Sequence, residues 1–267
     1  MKILDLDMDY FMDYIAHTPD SVCERLLEDD DNNVWTESQV RYFFENHLGL
    51  SKDSKIRGRI VSGHNESLFF WRELIAAGEL LTPFEVVHVD SHSDLGLGYS
   101  SWTYILNNLL SYPVEERPLH NKYEDCYGRI KEEGIGDYLL FAIAYRWISK
   151  ITYCANPNEK IHDFPFYIIK DFKENRIEHD GYIKNTIQLL FNPNKDFPKY
   201  GDDEHVKREY VVTSQKEPEV PLLIIPTIEA VKYTGDFDYA VMAQSPNYTP
   251  ASADFIIDIF KEYIIEM

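Results

Sequence analysis

One stretch constrains this chain more than any other: residues 87–94, with the sequence VHVDSHSD. It continues the apolar run 84–87, which is rich in β-branched residues and predicts a buried strand. A glycine-containing segment follows, so Asp90, His92 and Asp94 lie where that strand runs out into a loop. Their spacing of two places them on one side of an extended chain. Two carboxylates and an imidazole at one point need a positive charge between them, and a divalent metal is the simplest candidate. A polar strand end that faces water is the other interpretation.

The beginning of the chain repeats this chemistry. Residues 2–9 alternate apolar and acidic side chains, which is the period of a β-strand, and Asp5, Asp7 and Asp9 share one face of it. Three aspartates on a dry strand face repel one another by several kcal/mol, roughly, and a metal would remove the conflict. The alternative is an exposed acidic edge strand, although the apolar residues between the aspartates favour a packed strand.

A third stretch, Gly63-His64-Asn65-Glu66, separates a predicted strand from a predicted helix. The glycine lets the backbone approach a site closely, so His64 could be a ligand, although a lone histidine in such a turn is more often structural. Glu66 could be a carboxylate at the start of the helix, where the dipole favours it, or a group that binds substrate.

Together the three stretches supply up to five aspartates and two histidines, without a cysteine. Such oxygen-rich ligation suits manganese or iron better than structural zinc. More than four ligands indicate two metals, which can share bridging carboxylates and activate a water between them. Of the other histidines, His88 is predicted to be a satisfied core residue. His120 lies in a polar loop and could be a proton shuttle or an ordinary surface residue.

The composition limits the possible partners. The 267 residues carry 46 acidic against 26 basic side chains, a formal net charge of −20, which argues against nucleic acid and anionic membranes and favours a cationic substrate. The sequence has no apolar run that resembles a signal peptide or a membrane span. The three widely spaced cysteines form no CxxC pair, so we expect a protein of the reducing cytoplasm.

Predicted strands and helices alternate along the chain, which favours a layered α/β fold with a mostly parallel sheet, as one domain over residues 1–267. Residues 222–225 and 239–243 predict further buried strands, and residues 255–264 a final amphipathic helix. The segment 155–220 is rich in Pro, Asn, Asp and Lys and is interpreted as an insertion or lid.

With these motifs in view, the chain resembles the arginases and other ureohydrolases. Residues 90–94 resemble the D-x-H-x-D element of that superfamily, and His64 resembles its first histidine ligand. The remaining pair of the superfamily follows the pattern S-x-D-x-D at a strand end. Asp5 would take the serine position and Asp7 and Asp9 the ligand positions; in the other register the ligands are Asp5 and Asp7.

The order of the motifs differs from that of arginases, in which the D-x-D strand comes late, so the sequence resembles a permuted form. The resemblance is closer to an ureohydrolase-like family that includes peptide arginases. Its members carry segments similar to residues 4–11, 64–66, 88–95, 135–139 (often with asparagine at the position of Asp137) and 248–250. The resemblance covers both ends and the middle of the chain but not residues 155–220.

This resemblance implies a three-layer α/β sandwich of the arginase and deacetylase type, with a mostly parallel central sheet. It also implies an enzyme with two Mn²⁺ ions per chain that converts an arginine in a precursor peptide to ornithine and releases urea. The open alternatives are a hydrolase of free arginine or agmatine, a zinc-dependent deacetylase-like amidohydrolase, and a non-catalytic acidic binding module. Nothing in the sequence indicates an oligomeric state.

The resemblance further implies a set of site residues. The expected metal ligands are His64, Asp90, His92, Asp94, Asp7, Asp9 and Asp5. We expect His64, Asp90, Asp94 and Asp9 on one side of the cluster, and His92, Asp7 and the bridging carboxylates on the other. The candidate catalytic residues, for proton transfer or substrate binding, are Asp94, His120 and Glu66.

Overall fold

The computed structural model describes residues 1–17, 25–28, 33–96, 99–158, 166–172, 183–198 and 201–267. The strands in these ranges are β1 (Lys2–Asp7), β2 (Ile56–Val61), β3 (Phe84–Asp90), β4 (Tyr123–Glu124), β5 (Ile130–Lys131), β6 (Ile148–Ala155), β7 (Ile183–Ile187), β8 (Leu190–Phe191), β9 (Gln215–Lys216), β10 (Val220–Ile225), β11 (Tyr239–Ala243) and β12 (Ile264–Glu266). The α-helices are α1 (Glu37–Tyr42), α2 (Glu66–Ala76), α3 (Tyr99–Asn107), α4 (Tyr138–Ala144), α5 (Glu204–Thr213) and α6 (Phe255–Lys261). Among the described helices, none has the length and apolar character that crossing a bilayer requires.

Eight strands form one sheet in the order β12-β2-β11-β1-β3-β6-β10-β7. All neighbours pair in parallel except β7, which lies antiparallel to β10 at one edge. The prediction of a mostly parallel α/β sheet is therefore confirmed. Because the strands are parallel, their carboxyl ends meet at one edge of the sheet, and the motif-bearing strands β1 and β3 are central neighbours there.

The central strands bury apolar side chains on both faces, as a sheet covered by helices on both sides requires. On one face Ile3 and Val86 pack into a core with α2, α3 and α4. On the other face Leu4, Leu6 and Val87 pack into a second core with residues of α6 and of the turn that follows α1. This arrangement is compatible with a three-layer sandwich.

The local signals in the sequence placed most elements correctly. Thr36 and Gln39 match the sequence pattern of a capping box, and the structure confirms it. Thr36 accepts a hydrogen bond from the backbone of Gln39, and the Gln39 side chain accepts one from the backbone of Thr36. Gly78 ends α2 with a positive φ of 73°, where glycine carries no steric penalty.

Three boundaries differ from the predictions. β1 ends at Asp7, and Met8–Phe11 forms a 3-10 turn that takes Asp9 out of the strand. The apolar sequence of residues 137–149 predicts a helix, but α4 stops at Ala144 because the chain then enters β6.

The predicted final helix is also shorter. It ends at Lys261, and Ile264 begins an edge strand that pairs with Ile56 of β2. Backbone pairing with an available sheet edge here overrides the helical pattern of the side chains.

Part of the segment 155–220 is built into the fold. It supplies the edge strand β7, and its residues Ile168, Leu190 and Tyr210 are buried in the same core as α4. In the sequence, residues 165–170 and 175–178 predict a possible hairpin. The described part of the first half forms the 3-10 turns Phe166–Ile168 and Lys170–Phe172, and the second half lies outside the described residues.

The same segment is tied to the rest of the molecule by a buried ion pair. The guanidinium of Arg117 donates to both carboxylate oxygens of Glu217, at 2.9 and 3.0 Å. It also donates to the backbone carbonyls of Tyr112, Ala144 and Leu110. Since Arg117 is only 3% exposed, its loss would leave a carboxylate and three carbonyl groups without this partner.

We expect Arg117→Met to lower the free energy of unfolding by about 3 kcal/mol, because three buried carbonyl groups lose a donor. Glu217 keeps its second partner, Arg146, whose Nε donates to Oε2 at 2.8 Å. The measurement is urea unfolding followed by circular dichroism. Lys261→Met removes an exposed helical pair with Asp258 and serves as the control, with an expected loss below about 0.5 kcal/mol. Equal losses in the two variants would contradict the structural role assigned to Arg117.

Candidate metal centre

The three motif stretches meet at the carboxyl edge of the sheet. β1 and β3 lie side by side, with Asp5 in register with His88, and β2 reaches the same edge two strands away. The turn after β2 carries His64, the turn after β1 carries Asp9, and the loop after β3 carries the D-x-H-x-D element. Parallel pairing thus brings together motifs that are up to about 90 residues apart in the chain.

The turn that presents His64 is closed by local hydrogen bonds. The backbone N–H groups of Glu66 and Ser67 donate to the carbonyls of Gly63 and His64. The Glu66 side chain accepts from the backbone N–H of Ser62 at 3.0 Å. Glu66 therefore stabilises the turn, and it is not among the described residues that line the cavity at the carboxylates.

Three carboxylates converge on one nitrogen of His64. Nδ1 lies 2.8 Å from Oδ2 of Asp90, 3.1 Å from Oδ2 of Asp94 and 3.2 Å from Oδ2 of Asp7. His64 is fully buried, and neither its Nδ1 nor the Oδ2 atoms of Asp90 and Asp94 has a hydrogen-bond partner among the described residues. One N–H cannot satisfy three carboxylates, whereas a divalent cation can. The orphaned oxygens and nitrogen therefore fit a metal ion.

A second group lies beside the first. Nδ1 of His92 is 3.0 Å from Oδ2 of Asp9 and 3.7 Å from Oδ1 of Asp90. The other ring nitrogen, Nε2, donates to the carbonyl of Ala16 at 3.1 Å, so in the neutral ring Nδ1 carries the lone pair. The two groups, His64–His88–Asp90–Asp94 and Asp9–Asp90–His92, share Asp90, and each could hold a metal ion.

Within this arrangement Asp7 accompanies His64 and Asp9 accompanies His92, the reverse of the partition expected from the sequence. The cause is the early end of β1. Asp7 is the last strand residue, and its Oδ2 accepts from Ser245 as well as facing His64. The 3-10 turn then carries Asp9 over the end of β3, where its Oδ1 accepts from the backbone N–H of Ser91.

Two further buried side chains, His88 and Asp5, lie beside His64. His88 has partners on both nitrogens, Oδ2 of Asp5 on Nδ1 and the carbonyl of His92 on Nε2, as predicted for a satisfied core histidine. Asp5 is fully buried but belongs to neither metal-binding group; it lies behind His64, 3.3 Å from Nε2.

The electrostatics reflect crowding of like charges. Burial, followed by the charge of Asp90, raises the pKa of Asp94 to about 7. Burial and the carboxylates of Asp7 and Asp90 raise the pKa of Asp9 well above its usual range. Burial alone would lower the pKa of His64, but Asp5 and the other carboxylates around it hold that pKa well above its usual value. A bound cation would relieve this repulsion.

A narrow cavity of about 40 Å³ opens beside the carboxylates. Its walls are formed by Asp7, Asp9, Asp90, His92, Asp94, His17, Ile135, Gly136 and Tyr248. The rings of Tyr248 and His17 approach that of His92, with centroids 5.3 and 6.2 Å away. Neither His17 nor Tyr248 is among the site residues predicted from the sequence. Tyr248 lies in a turn that the sequence marks, whereas no local signal singles out His17.

His120 lies elsewhere. Its ring stacks on Tyr112 with the centroids 3.7 Å apart, and its carbonyl accepts from Tyr104. It is not among the described residues that line the cavity, so the structure gives no support to a role in proton transfer.

No family model matches the chain, and no curated protein matches it. The resemblance to ureohydrolases therefore rests on the motifs quoted above.

The shared position of Asp90 can be tested by metal binding. We expect Asp90→Ala to lose Mn²⁺ at both groups, because it removes an oxygen from each, and Asp9→Ala to lose it only at the group with His92. Each loss should exceed about 100-fold, since even partners outside the ligand shell change affinity by 10–100-fold. Isothermal titration and elemental analysis give affinity and stoichiometry, and the exposed Asp13→Ala is the control. Unchanged binding in Asp90→Ala would contradict the assignment.

The wall residue Gly136 precedes a buried acid, Asp137, at the start of α4. Its Oδ1 accepts from the backbone N–H of Gly134 at 2.6 Å, and Tyr123 donates to Oδ2 at 3.4 Å. Because the carboxyl is only 7% exposed, burial raises the pKa of Asp137 to about 6.

This shift predicts a pH-dependent gain in stability for Asp137→Asn. Between about pH 4 and pH 6 the unfolded chain loses the Asp137 proton while the folded chain keeps it, so this group lowers stability as the pH rises. Asparagine keeps the acceptor for Gly134 and does not ionise. The stability of the variant relative to wild type should therefore rise by about 1 to 2 kcal/mol between about pH 5 and pH 7.5. Urea unfolding at both pH values tests this, and an equal difference at both would refute it.

Proposed function

We propose that this chain is a dinuclear manganese-dependent hydrolase that releases urea from an arginine side chain of a peptide and leaves ornithine. The observation that carries the proposal is Asp90, whose Oδ2 faces His64 and whose Oδ1 faces His92. A buried carboxylate between two histidine groups is suited to bridging two cations. The surrounding donors are mainly carboxylate oxygens, which favours manganese over zinc.

The chain would hold one ion with His64, Asp7, Asp90 and Asp94, and the other with His92, Asp9 and Asp90. Bound here, two divalent cations would neutralise the carboxylates and lower the pKa of a water.

The protein's own groups supply the rest of the chemistry. Asp94 lines the cavity, and its carboxylate would accept a proton there and pass it to a departing amine. Ile135 and Tyr248 contribute apolar surface to the cavity wall, which limits the access of bulk water.

The guanidinium as the target is supported by charge and by the motifs. The net charge of −20 attracts a cationic substrate. The choice of a peptide over free arginine rests on the resemblance to the family that includes peptide arginases.

The test is urea release by protein reconstituted with MnCl₂. We expect about two Mn²⁺ per chain, and urea with ornithine formation from an arginine-containing peptide but not from free arginine or agmatine. Asp90→Ala should show neither metal nor urea, while Asp13→Ala should behave as wild type.

The other outcomes overturn defined parts of the proposal. Urea from free arginine or agmatine alone would assign the site to small-molecule metabolism. Metal binding without urea from any of the three substrates would refute the guanidinium chemistry. Deacetylation supported by a single zinc would favour the amidohydrolase alternative, and absence of metal would refute the metal centre itself.

A further inference from the structure

We infer that Asp5 is a positioning residue rather than a metal ligand: its Oδ1 accepts a hydrogen bond from Nε2–H of His64 and so turns Nδ1 of that ring toward the first metal site. This inference rests on the proposed function, because it concerns the same metal centre. It gives a role to the first aspartate of the D-x-D-x-D strand, which the metal-binding groups leave out.

One buried atom of Asp5 and one of His64 lie close together and lack hydrogen-bond partners. Oδ1 of Asp5 and Nε2 of His64 lie 3.3 Å apart, both side chains are fully buried, and neither atom has a hydrogen-bond partner among the described residues. A buried donor and acceptor left unpaired would each cost about 1 to 3 kcal/mol. A proton on Nε2 that is donated to Oδ1 would give both atoms a partner and leave the lone pair on Nδ1, the atom that faces the carboxylates of Asp90, Asp94 and Asp7.

The other carboxylate oxygen of Asp5, Oδ2, already has two hydrogen-bond donors. Oδ2 accepts from the hydroxyl of Tyr138 at 2.5 Å and lies 3.1 Å from Nδ1 of His88, which is its register partner on β3. These two donors hold the carboxylate so that Oδ1 points to His64. An oxygen engaged in this way is not available to a metal.

Ring packing restricts His64 in the same orientation. The ring of His88 stacks on it, with centroids 5.1 Å apart and planes 21° apart, and the ring of Tyr138 lies at the same centroid distance. The two residues that orient Asp5 therefore also limit rotation of the imidazole that Asp5 binds.

The two metal-binding groups differ in the acceptor that faces Nε2 of their histidine. Nε2 of His92 is held by the backbone carbonyl of Ala16, a neutral acceptor, whereas Nε2 of His64 faces a carboxylate. A carboxylate partner raises the basicity of a ligating histidine and fixes its tautomer. The group around His64 should accordingly depend on Asp5, and the group around His92 should not.

The decisive variant is Asp5→Asn, which keeps the size of the side chain. Its amide oxygen will face the donors Tyr138 and His88, which turns its NH₂ group toward His64. Nε2 must then accept, the proton moves to Nδ1, and the ring can no longer ligate through that atom. We expect Mn²⁺ affinity to fall by about 10 to 100-fold at one site and to stay unchanged at the other.

The experiment combines titration with MnCl₂ and ¹⁵N NMR of the histidine rings in the Zn²⁺-loaded full chain, with His64→Gln to assign the signals. In wild type, His64 should show a protonated Nε2 and a metal-bound Nδ1, and Asp5→Asn should lose this pattern. Asp238→Asn is the control, since Asp238 accepts a hydrogen bond at the opposite end of β1.

The results that would refute the inference differ from the result that would refute the proposed function. If wild type binds two ions but Nε2 of His64 carries no proton, the inference is wrong even if Asp5→Asn does not fold. Unchanged affinity at both sites in a folded Asp5→Asn protein would also overturn it. If wild type binds no metal, the proposed function fails instead.

Discussion

The concentration of negative charge around one buried histidine is the constraint on which the rest of this structure depends. Asp7, Asp90 and Asp94 each direct an oxygen to Nδ1 of His64 within about 3 Å, out of contact with water. Such an arrangement is costly without a compensating cation. The sheet withstands it because the carboxylates come from the ends of central strands, which are held by pairing on both sides and by a core on each face.

The site is organised in depth as well as in the plane of the sheet. The carboxylates that face the cavity lie at and beyond the strand ends. Asp5 and His88 lie two residues before the last residues of β1 and β3. Tyr138, on the helix that covers this face, reaches the same layer. Asp5 faces His64 from this inner layer, with Oδ1 3.3 Å from Nε2.

The sequence predicted the mostly parallel sheet, because apolar runs and helical stripes alternate along the chain, and it predicted that the motifs at 5–9, 63–66 and 90–94 would meet. Local patterns could not predict which aspartate faces which histidine. That depended on where β1 stops, and an alternating pattern of six or eight residues does not show the stop. Nor does a polar loop show the direction in which it folds: the ring of His120 stacks on Tyr112 and is not among the described residues that line the cavity.

By itself, the sequence determined the chemical types at the site: carboxylates and imidazoles without thiols, on strands that end in turns. Only the tertiary structure decided their roles. The register of β1 with β3 placed Asp5 beside His88 and behind His64 rather than at the cavity wall, and the path of the chain brought His17 and Tyr248 to that wall. The physical reason is that residue type limits which bonds a side chain can make, whereas strand pairing and burial determine which partners are within reach.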